Sequence, residues 1–232
     1  MRQTAASAKS GRKLNGDANR LAPEDRAGHD WYRFVLSYPP HLVRNYLQRF
    51  GVSSSKRVLD PFCGTGTTIV ECKKLGIPSV GLEANPMAYF ASQVKISWEI
   101  DSDGLIEDCN RVASLAQAMM NDSGVEDENL PLFKTYQSHP FPLRSLPHES
   151  FKLLLTNSIS PLPLHKTLIL IECLQEYGDE KYRQHQMLAL AKAIVFSISN
   201  LHFGPEVGIG QAKSDVAVIP AWMAAVRAIS GD

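Results

Sequence analysis

The first hundred residues switch between strand-like and helical spacing of their apolar positions. Helical spacing predicts one helix over about 42–50 and another over 67–75. Short apolar runs at 56–62 and 78–84 predict strands, and a third helix is predicted over 86–98. The order strand, glycine loop, helix, strand, helix predicts a βαβ unit with parallel strands and a right-handed crossover.

Beyond residue 100 the pattern becomes mainly helical. The predicted helices cover about 101–120, 164–177, 179–201 and 214–229. Turn-forming residues predict loops over 121–150 and over the glycine-rich stretch 203–213. The apolar run at 151–156 fits either a strand or the start of a helix. We therefore expect an α/β fold with a mostly helical C-terminal region.

Composition is that of an ordinary globular protein. The 232 residues are 44% hydrophobic and 21% charged, which argues against a disordered, collagen-like or coiled-coil chain. The 24 basic and 24 acidic side chains cancel, so bulk charge gives no reason to expect nucleic acid or a membrane as partner. Residues 1–28 are locally basic and are predicted to form a flexible arm, either a solvated tail or a phosphate-contacting segment.

The cysteines and histidines show no metal-binding pattern. Four scattered cysteines form no C-x-x-C pair, and the seven histidines have no ligand spacing, so no metal is expected. A chain of this length can build a core without disulfides, so reduced thiols and a cytoplasmic location are the simplest prediction. No apolar run approaches the roughly 20 residues that a membrane span needs, so no membrane partner is expected.

A glycine loop after the first predicted strand carries the candidate chemistry. Gly64 and Gly66 stand between a strand and a helix, where backbone without Cβ atoms can approach a ligand closely. The N-terminus of the next helix offers free N–H groups to an anionic group. Glu83 ends the next strand, where an acidic residue accepts hydrogen bonds from ribose hydroxyls. These features predict a nucleoside-type cofactor.

Two common nucleotide-binding loops do not fit. The dinucleotide fingerprint needs a third glycine where this chain has Ile69, which disfavours NAD and FAD. A Walker A loop needs a lysine after its second glycine, and none follows Gly66. ATP bound in that way is excluded.

The loop and its flanks resemble the cofactor loop of amino-directed DNA methyltransferases. The matching motifs are Asp60-Pro61-Phe62-Cys63-Gly64-Thr65-Gly66-Thr67-Thr68, then Glu71 and Gly76, then Gly81-x-Glu83-x-Asn85-Pro86. The upstream Tyr38-Pro39-Pro40-x-Leu42-Val43 is similar to a cofactor-flanking motif of permuted members, and Ala91 and Lys95 match its continuation. The clear resemblance covers about residues 31–98, while segments near 160–166 and 200–206 resemble a helical insert of some members.

The resemblance implies S-adenosylmethionine (SAM) as cofactor, DNA as the partner of the complete protein, and methyl transfer to adenine N6 or cytosine N4. It also implies a partial Rossmann-like βαβ core over 29–100. The residues implied to contact the cofactor are Asp60, Pro61, Phe62, Cys63, Gly64, Thr65, Gly66, Thr67, Glu83, Ala84 and Asn85.

Each part of this set has an implied role. Asp60 and the backbone of 62–66 would hold the methionine moiety, and Glu83 would bind the ribose hydroxyls. Ala84 and Asn85 would lie beside the adenine. Thr67 and Thr68 would cap the following helix. Cys63 is predicted to be a small loop residue rather than a nucleophile, because no histidine is paired with it.

The catalytic motif of the family, [DNS]-P-P-[YFW], is not found. The segment 38–41 has the wrong residue order, and 157–163 lacks paired prolines and an aromatic residue. The family sheet has seven strands, whereas this sequence predicts two good ones. We therefore expect the cofactor-binding portion of a longer or split methyltransferase, with catalytic residues unknown. Residues 101–232 would be an insert or a truncated catalytic portion, and a second polypeptide could carry the catalytic motif.

Two other hypotheses stay open. The absent motif favours a non-catalytic SAM-binding partner subunit or remnant. RNA guanine-N2 methyltransferases share the sequence D-P-F-C-G-T-G, but their usual N-terminal RNA-binding domain has no room before residue 57.

Overall fold

The structure is a computed structural model that describes residues 21–34, 37–127, 142–203 and 206–232. Its helices are α1 (Pro40–Arg49), α2 (Thr67–Lys74), α3 (Pro86–Lys95), α4 (Ser102–Asp122), α5 (His148–Phe151), α6 (Pro161–Glu176), α7 (Glu180–Ala193) and α8 (Val218–Ser230). Its strands are β1 (Val58–Asp60), β2 (Ser79–Gly81), β3 (Leu201–Phe203) and β4 (Val207–Ile209). A 3-10 turn (Pro23–Asp25) precedes α1, and a π-helical turn (Ile194–Ile198) follows α7.

Strands β1 and β2 run parallel and are connected through α2, so the predicted strand–helix–strand order is confirmed. Val58 lies opposite Ser79, and Asp60 lies opposite Gly81. Because parallel strands end at the same edge of a sheet, the loop after β1 and the residues after β2 lie side by side. Among the described residues this sheet has these two strands and no others.

One large apolar core joins the βαβ unit to the helical region. Helices α4, α6, α7 and α8 pack around it, and the fully buried Trp222 donates its indole N–H to the Gln186 carbonyl at 3.0 Å. Ala91 and Val94 of α3 belong to the same core. A smaller core lies between α1 and α2 and contains Val43, Leu47, Cys72 and Ile77.

The N-terminal segment is packed where it is described. Residues 1–20 of the predicted arm lie outside the described residues. From there on, Asp25 is buried, and the Gly28 amide and the Trp31 indole both donate to the Asp232 carboxylate, at 3.0 and 2.7 Å. The end of the segment predicted as an arm therefore packs against the end of α8.

Two other segments differ from their predictions. Strands β3 and β4 form an antiparallel hairpin that begins ahead of the predicted glycine loop and takes up its first half, so the loop prediction is wrong there. Phe203 packs against Phe196 with ring centroids 5.4 Å apart, a tertiary contact that glycine-rich sequence does not reveal. The apolar run at 151–156 begins at the last residue of α5 and continues as turns, not as a strand.

The described residues include no helix long and apolar enough to cross a membrane. Nor do they bring together three or more His, Cys, Asp or Glu side chains in a group that could hold a metal ion.

Candidate cofactor-binding site

The loop between β1 and α2 makes a tight turn that glycines permit. Gly64 and Gly66 have positive φ values of 54° and 87°, a conformation that residues with a Cβ rarely adopt. A Cβ on Gly66 would also meet the Cβ of Ser92 at 3.0 Å. Gly66 is the N-cap residue of α2 and gives no side-chain hydrogen bond. The first N–H groups of α2 are therefore not capped by a side chain of the N-cap residue.

Glu83 closes the turn from the end of the neighbouring strand. One of its carboxylate oxygens accepts the Gly64 amide at 2.8 Å, and the other accepts the Asn85 amide at 2.7 Å. A carboxylate has about four lone-pair positions, so two stay available to a ligand. The half-buried Glu83 carboxylate and the α2 N-terminus thus both adjoin the Gly64–Gly66 turn.

Asp60 is held from two directions at the start of the loop. Its Oδ1 accepts the Phe62 amide at 3.1 Å, and its Oδ2 accepts the Tyr38 hydroxyl at 3.0 Å. The same hydroxyl lies 2.5 Å from Thr68 Oγ1. Burial raises the pKa of Tyr38 to about 12, so the phenol keeps its proton at neutral pH. The segment before α1 is thereby tied to both ends of the loop.

The predicted capping role of Thr67 and Thr68 is wrong. Thr67 is the first residue of α2, and Gly66 occupies the N-cap position without a side-chain bond. The Thr68 hydroxyl bonds to Tyr38 instead. The sequence could not show this because Tyr38 lies 30 positions earlier in the chain.

The other predicted contact residues fall into two groups. Asn85 is the N-cap of α3, where its side chain accepts the Met87 and Ala88 amides, both at 3.0 Å. Its side-chain oxygen is therefore engaged, and its place beside an adenine stays a prediction. Pro61, Phe62 and Ala84 are exposed, with Phe62 at 85%. Cys63 and Thr65 are buried beneath the loop.

Cys63 is a packing residue of this turn. Its thiol is buried, and burial raises its pKa, which is the opposite of what a nucleophilic cysteine requires. A Cβ on Gly81 would come within 2.7 Å of its sulfur. The loop therefore rests directly on β2.

The sequence does not reveal an ionic network that lies behind the loop around the buried Glu71. Arg44 Nη1 lies 2.8 Å from both Asp25 Oδ1 and Glu71 Oε2, and Glu71 Oε1 lies 2.7 Å from His29 Nε2. Burial raises the pKa of Glu71, but the hydrogen bonds from His29 and Arg44 outweigh it and hold that pKa below its usual value. In the sequence only the motif position of Glu71 was a signal, because its partners His29 and Arg44 lie 42 and 27 positions earlier in the chain.

The residues present fit a cofactor that carries a carboxylate and ribose hydroxyls. The α2 N-terminus supplies N–H donors suited to a carboxylate, and Glu83 supplies acceptors suited to vicinal hydroxyls. A Cβ on Gly64 would meet no atom within 4 Å, so the loop faces open space at that point.

Comparison with known proteins agrees with this geometry. The family model described as DNA methylase, of the N6/N4 type, matches residues 17–93. The type II methyltransferase M.BsoBI of Geobacillus stearothermophilus is 36% identical over 74 residues, which are 32% of this chain and 14% of that protein. M.MjaII of Methanocaldococcus jannaschii is 33% identical over 93 residues, 38% of this chain and 17% of that protein.

A further relative, the type II methyltransferase M.AvaI of Nostoc sp., is 30% identical over 78 residues, 34% of this chain and 15% of that protein. The chain thus spans between 14% and 17% of the length of these relatives. No solved structure matches the chain. The family match covers the turn, Glu83 and the upstream Tyr38 segment, so residues 17–93 of this chain are similar to the N6/N4 DNA methylase family.

Proposed function

We propose that this chain is the cofactor-binding part of a SAM-dependent DNA methyltransferase that modifies the exocyclic amine of adenine or cytosine. The observation that carries the proposal is the Gly64–Gly66 turn, with the uncapped α2 N-terminus on one side and the Glu83 carboxylate on the other. The α2 amides would hold the methionine carboxylate. Glu83 would accept the ribose hydroxyls, with Ala84 and Asn85 near the adenine.

The chemistry would be a direct displacement. SAM supplies a methyl group on a sulfonium, and the amine nitrogen of the base attacks it while the sulfur leaves. Such a transfer depends mainly on holding the two reactants in line at short distance. This chain would contribute by holding SAM, one of the two reactants, in a fixed position. Asp60, pinned by Tyr38 and Phe62, and the turn locked by Glu83 are suited to that task.

The remaining strands and the catalytic motif would come from another part of the protein or from a second polypeptide. Parallel sheets are normally covered on both faces. Here Leu59 of β1 is 63% exposed, and Val80 of β2 is 53% exposed. At the C-terminal end of α1, Tyr46 and Phe50 stack with ring centroids 6.0 Å apart and are also exposed. Exposed apolar surface of this kind is typical of an interface, and it supports a missing catalytic part.

A second candidate is a non-catalytic SAM-binding subunit, which the absence of [DNS]-P-P-[YFW] in the sequence favours for the isolated chain. The match to N6/N4 DNA methylases favours DNA over the RNA guanine-N2 alternative. A reducing, cytoplasmic setting is part of the proposal and is supported by four buried free cysteines.

Calorimetric titration with SAM tests the cofactor assignment. The native chain should bind SAM, and Glu83→Ala should lower the affinity at least about tenfold, because a lost charged hydrogen bond is worth about 1.5–3 kcal/mol. Glu99→Ala, at an exposed glutamate after α3, is the matched control and should bind like the native chain. Absence of binding heat with the native chain would refute the cofactor proposal.

Transfer of labelled methyl groups from SAM to DNA then tests what the two candidates share, namely that the isolated chain does not methylate DNA. SAM binding without transfer supports a chain that needs a separate catalytic part. Methylation of DNA by the isolated chain would contradict both the split arrangement and the non-catalytic subunit.

A further inference from the structure

A lysine beneath the turn has no anionic partner among the described residues. Lys95, the last residue of α3, is only 1% exposed. Its ammonium donates to two neutral backbone carbonyls, Thr65 O at 2.9 Å and Tyr32 O at 3.2 Å. No carboxylate of the described part of the chain lies within ion-pair distance of it. A buried cation bound to carbonyls alone is energetically unfavourable, so it calls for an explanation.

The two carbonyls that Lys95 contacts belong to two different segments of the candidate site. Thr65 is the central residue of the turn, and Tyr32 belongs to the segment that leads to Tyr38. The peptide unit between Thr65 and Gly66 has its carbonyl on Lys95 and its N–H on the Cys63 carbonyl at 2.8 Å. Both ends of this peptide are therefore fixed, and its orientation sets the direction in which α2 begins.

A second fully buried lysine offers a comparison. Lys166 is 0% exposed, but its ammonium lies 2.7 Å from Asp215 and 3.2 Å from Asp127. That arrangement is an ordinary structural ion pair. Lys95 differs from Lys166 because its ammonium contacts neutral carbonyls and has no carboxylate partner among the described residues. It also lies directly under the turn that is proposed to bind the cofactor.

We propose that Lys95 is a positioning residue of the cofactor site, whose ammonium fixes the Thr65–Gly66 peptide, so that cofactor binding is coupled to the protonation of this side chain. The inference rests on the proposed function, since it requires that the turn binds SAM. The bond to Thr65 is charge-assisted when Lys95 is protonated and weaker when it is neutral. Protonated Lys95 should therefore accompany the bound state.

The surroundings set Lys95 to titrate near neutral pH. Burial, aided by the positive charges of its neighbours, lowers the pKa of Lys95 to about 7. The charged or titratable groups that face it are Arg33, Lys74, Lys192, Asp30 and His29. Only Asp30 raises that pKa. The ammonium is thus lost as pH rises through about 7, and cofactor affinity should fall over the same range.

The test measures SAM affinity by calorimetry from pH 5.5 to 8.5 for the native chain and for Lys95→Met. The native affinity should fall about tenfold across this range, a typical coupling between two sites. The Lys95→Met affinity should be low and should lack this fall. Any titration of SAM itself contributes equally to both profiles and cancels when they are compared. A native profile parallel to that of Lys95→Met would overturn the proposal.

A second variant tests the charge itself. Lys74→Gln removes a positive neighbour and keeps Lys95, so the fall in affinity should move to higher pH. A purely structural role of Lys95 would leave that midpoint unchanged.

A third test uses the native protein and therefore does not depend on whether a variant folds. The ¹³Cε resonance of Lys95 should titrate near neutral pH, and saturating SAM should move its midpoint upward, because the coupling is reciprocal. A midpoint that SAM leaves unchanged refutes the role of Lys95. Absence of SAM binding at every pH refutes instead the proposed function.

Discussion

The Glu83 carboxylate accepts the Gly64 amide at 2.8 Å across 19 positions of sequence. Through this bond the end of β2 holds the turn that follows β1. The same carboxylate is the candidate acceptor for the cofactor ribose, so one side chain shapes the turn and offers a binding group. The turn should accordingly depend on Glu83 even when no cofactor is present.

Loss of this acceptor should loosen the turn in the cofactor-free protein. In Glu83→Ala the Gly64 amide loses its partner, and its hydrogen exchange, measured by NMR, should accelerate about tenfold or more, as for a lost bond of about 1.5 kcal/mol. Amides of the α8 interior provide the control and should exchange at the native rate. An unchanged Gly64 amide would mean that Glu83 does not hold the turn.

The close contact between β2 and the loop makes Gly81 intolerant of a side chain. A Cβ there would lie 2.7 Å from Cys63 Sγ, so Gly81→Ala should displace the loop and lower the free energy of unfolding by about 1–3 kcal/mol. Gly208→Ala, at a strand glycine of β4 with no atom within 4 Å of the added Cβ, should change it by less than about 0.5 kcal/mol. Urea unfolding of the two variants checks the difference, and equal stabilities would contradict it.

The buried network behind the loop should make the fold sensitive to acid. Burial lowers the pKa of His29 below its usual value of 6.5, so the unfolded chain takes up this proton first as pH falls. Stability contributed by neutral His29 is present above pH 6.5 and is lost below it, by up to about 1.4 kcal/mol per pH unit. The lowered pKa values of Glu71 and Asp25 act in the same direction at lower pH.

Urea unfolding between pH 7.5 and 5.5 measures this loss. His29→Gln should flatten the dependence of unfolding free energy on pH over this range. His148→Gln, at an exposed histidine of α5, should keep the native slope. A native slope in His29→Gln would show that another group takes up the proton.

The Tyr38 hydroxyl should matter for the ligand more than for the fold. Tyr38→Phe removes the donor to Asp60 and the contact with Thr68, and about 1 kcal/mol of lost hydrogen bonding predicts roughly a fivefold weaker affinity for SAM. The ring stays, so the melting temperature should change little. Tyr46→Phe, at an exposed tyrosine of α1, is the control. If Tyr38→Phe bound SAM with native affinity, the Tyr38 hydroxyl would not contribute to cofactor binding.

Local pattern was enough to predict most elements of this fold. Helical spacing located α1, α2, α3 and α4, and the glycine turn between two short apolar runs located the parallel pair β1 and β2. These elements could be predicted because a helix or a strand that is buried on one side shows a regular spacing of apolar residues within a short stretch of sequence. The β3–β4 hairpin was not predicted, because its second strand lies in a glycine-rich stretch and the contact of Phe203 with Phe196 is not visible in the local pattern.

The sequence by itself determined the family resemblance and the position of the glycine turn, because both depend on the order and spacing of Asp60-Pro61-Phe62, the two glycines and Glu83. Only the tertiary structure decided the partners of those residues. In the fold the Thr68 hydroxyl bonds to Tyr38 and does not cap a helix. Glu71 pairs with His29 and Arg44, and Lys95 lies beneath Thr65. Hydrogen bonds act across space at about 3 Å. These partners, 27 to 42 positions apart in the chain, reach that distance only when the chain has folded.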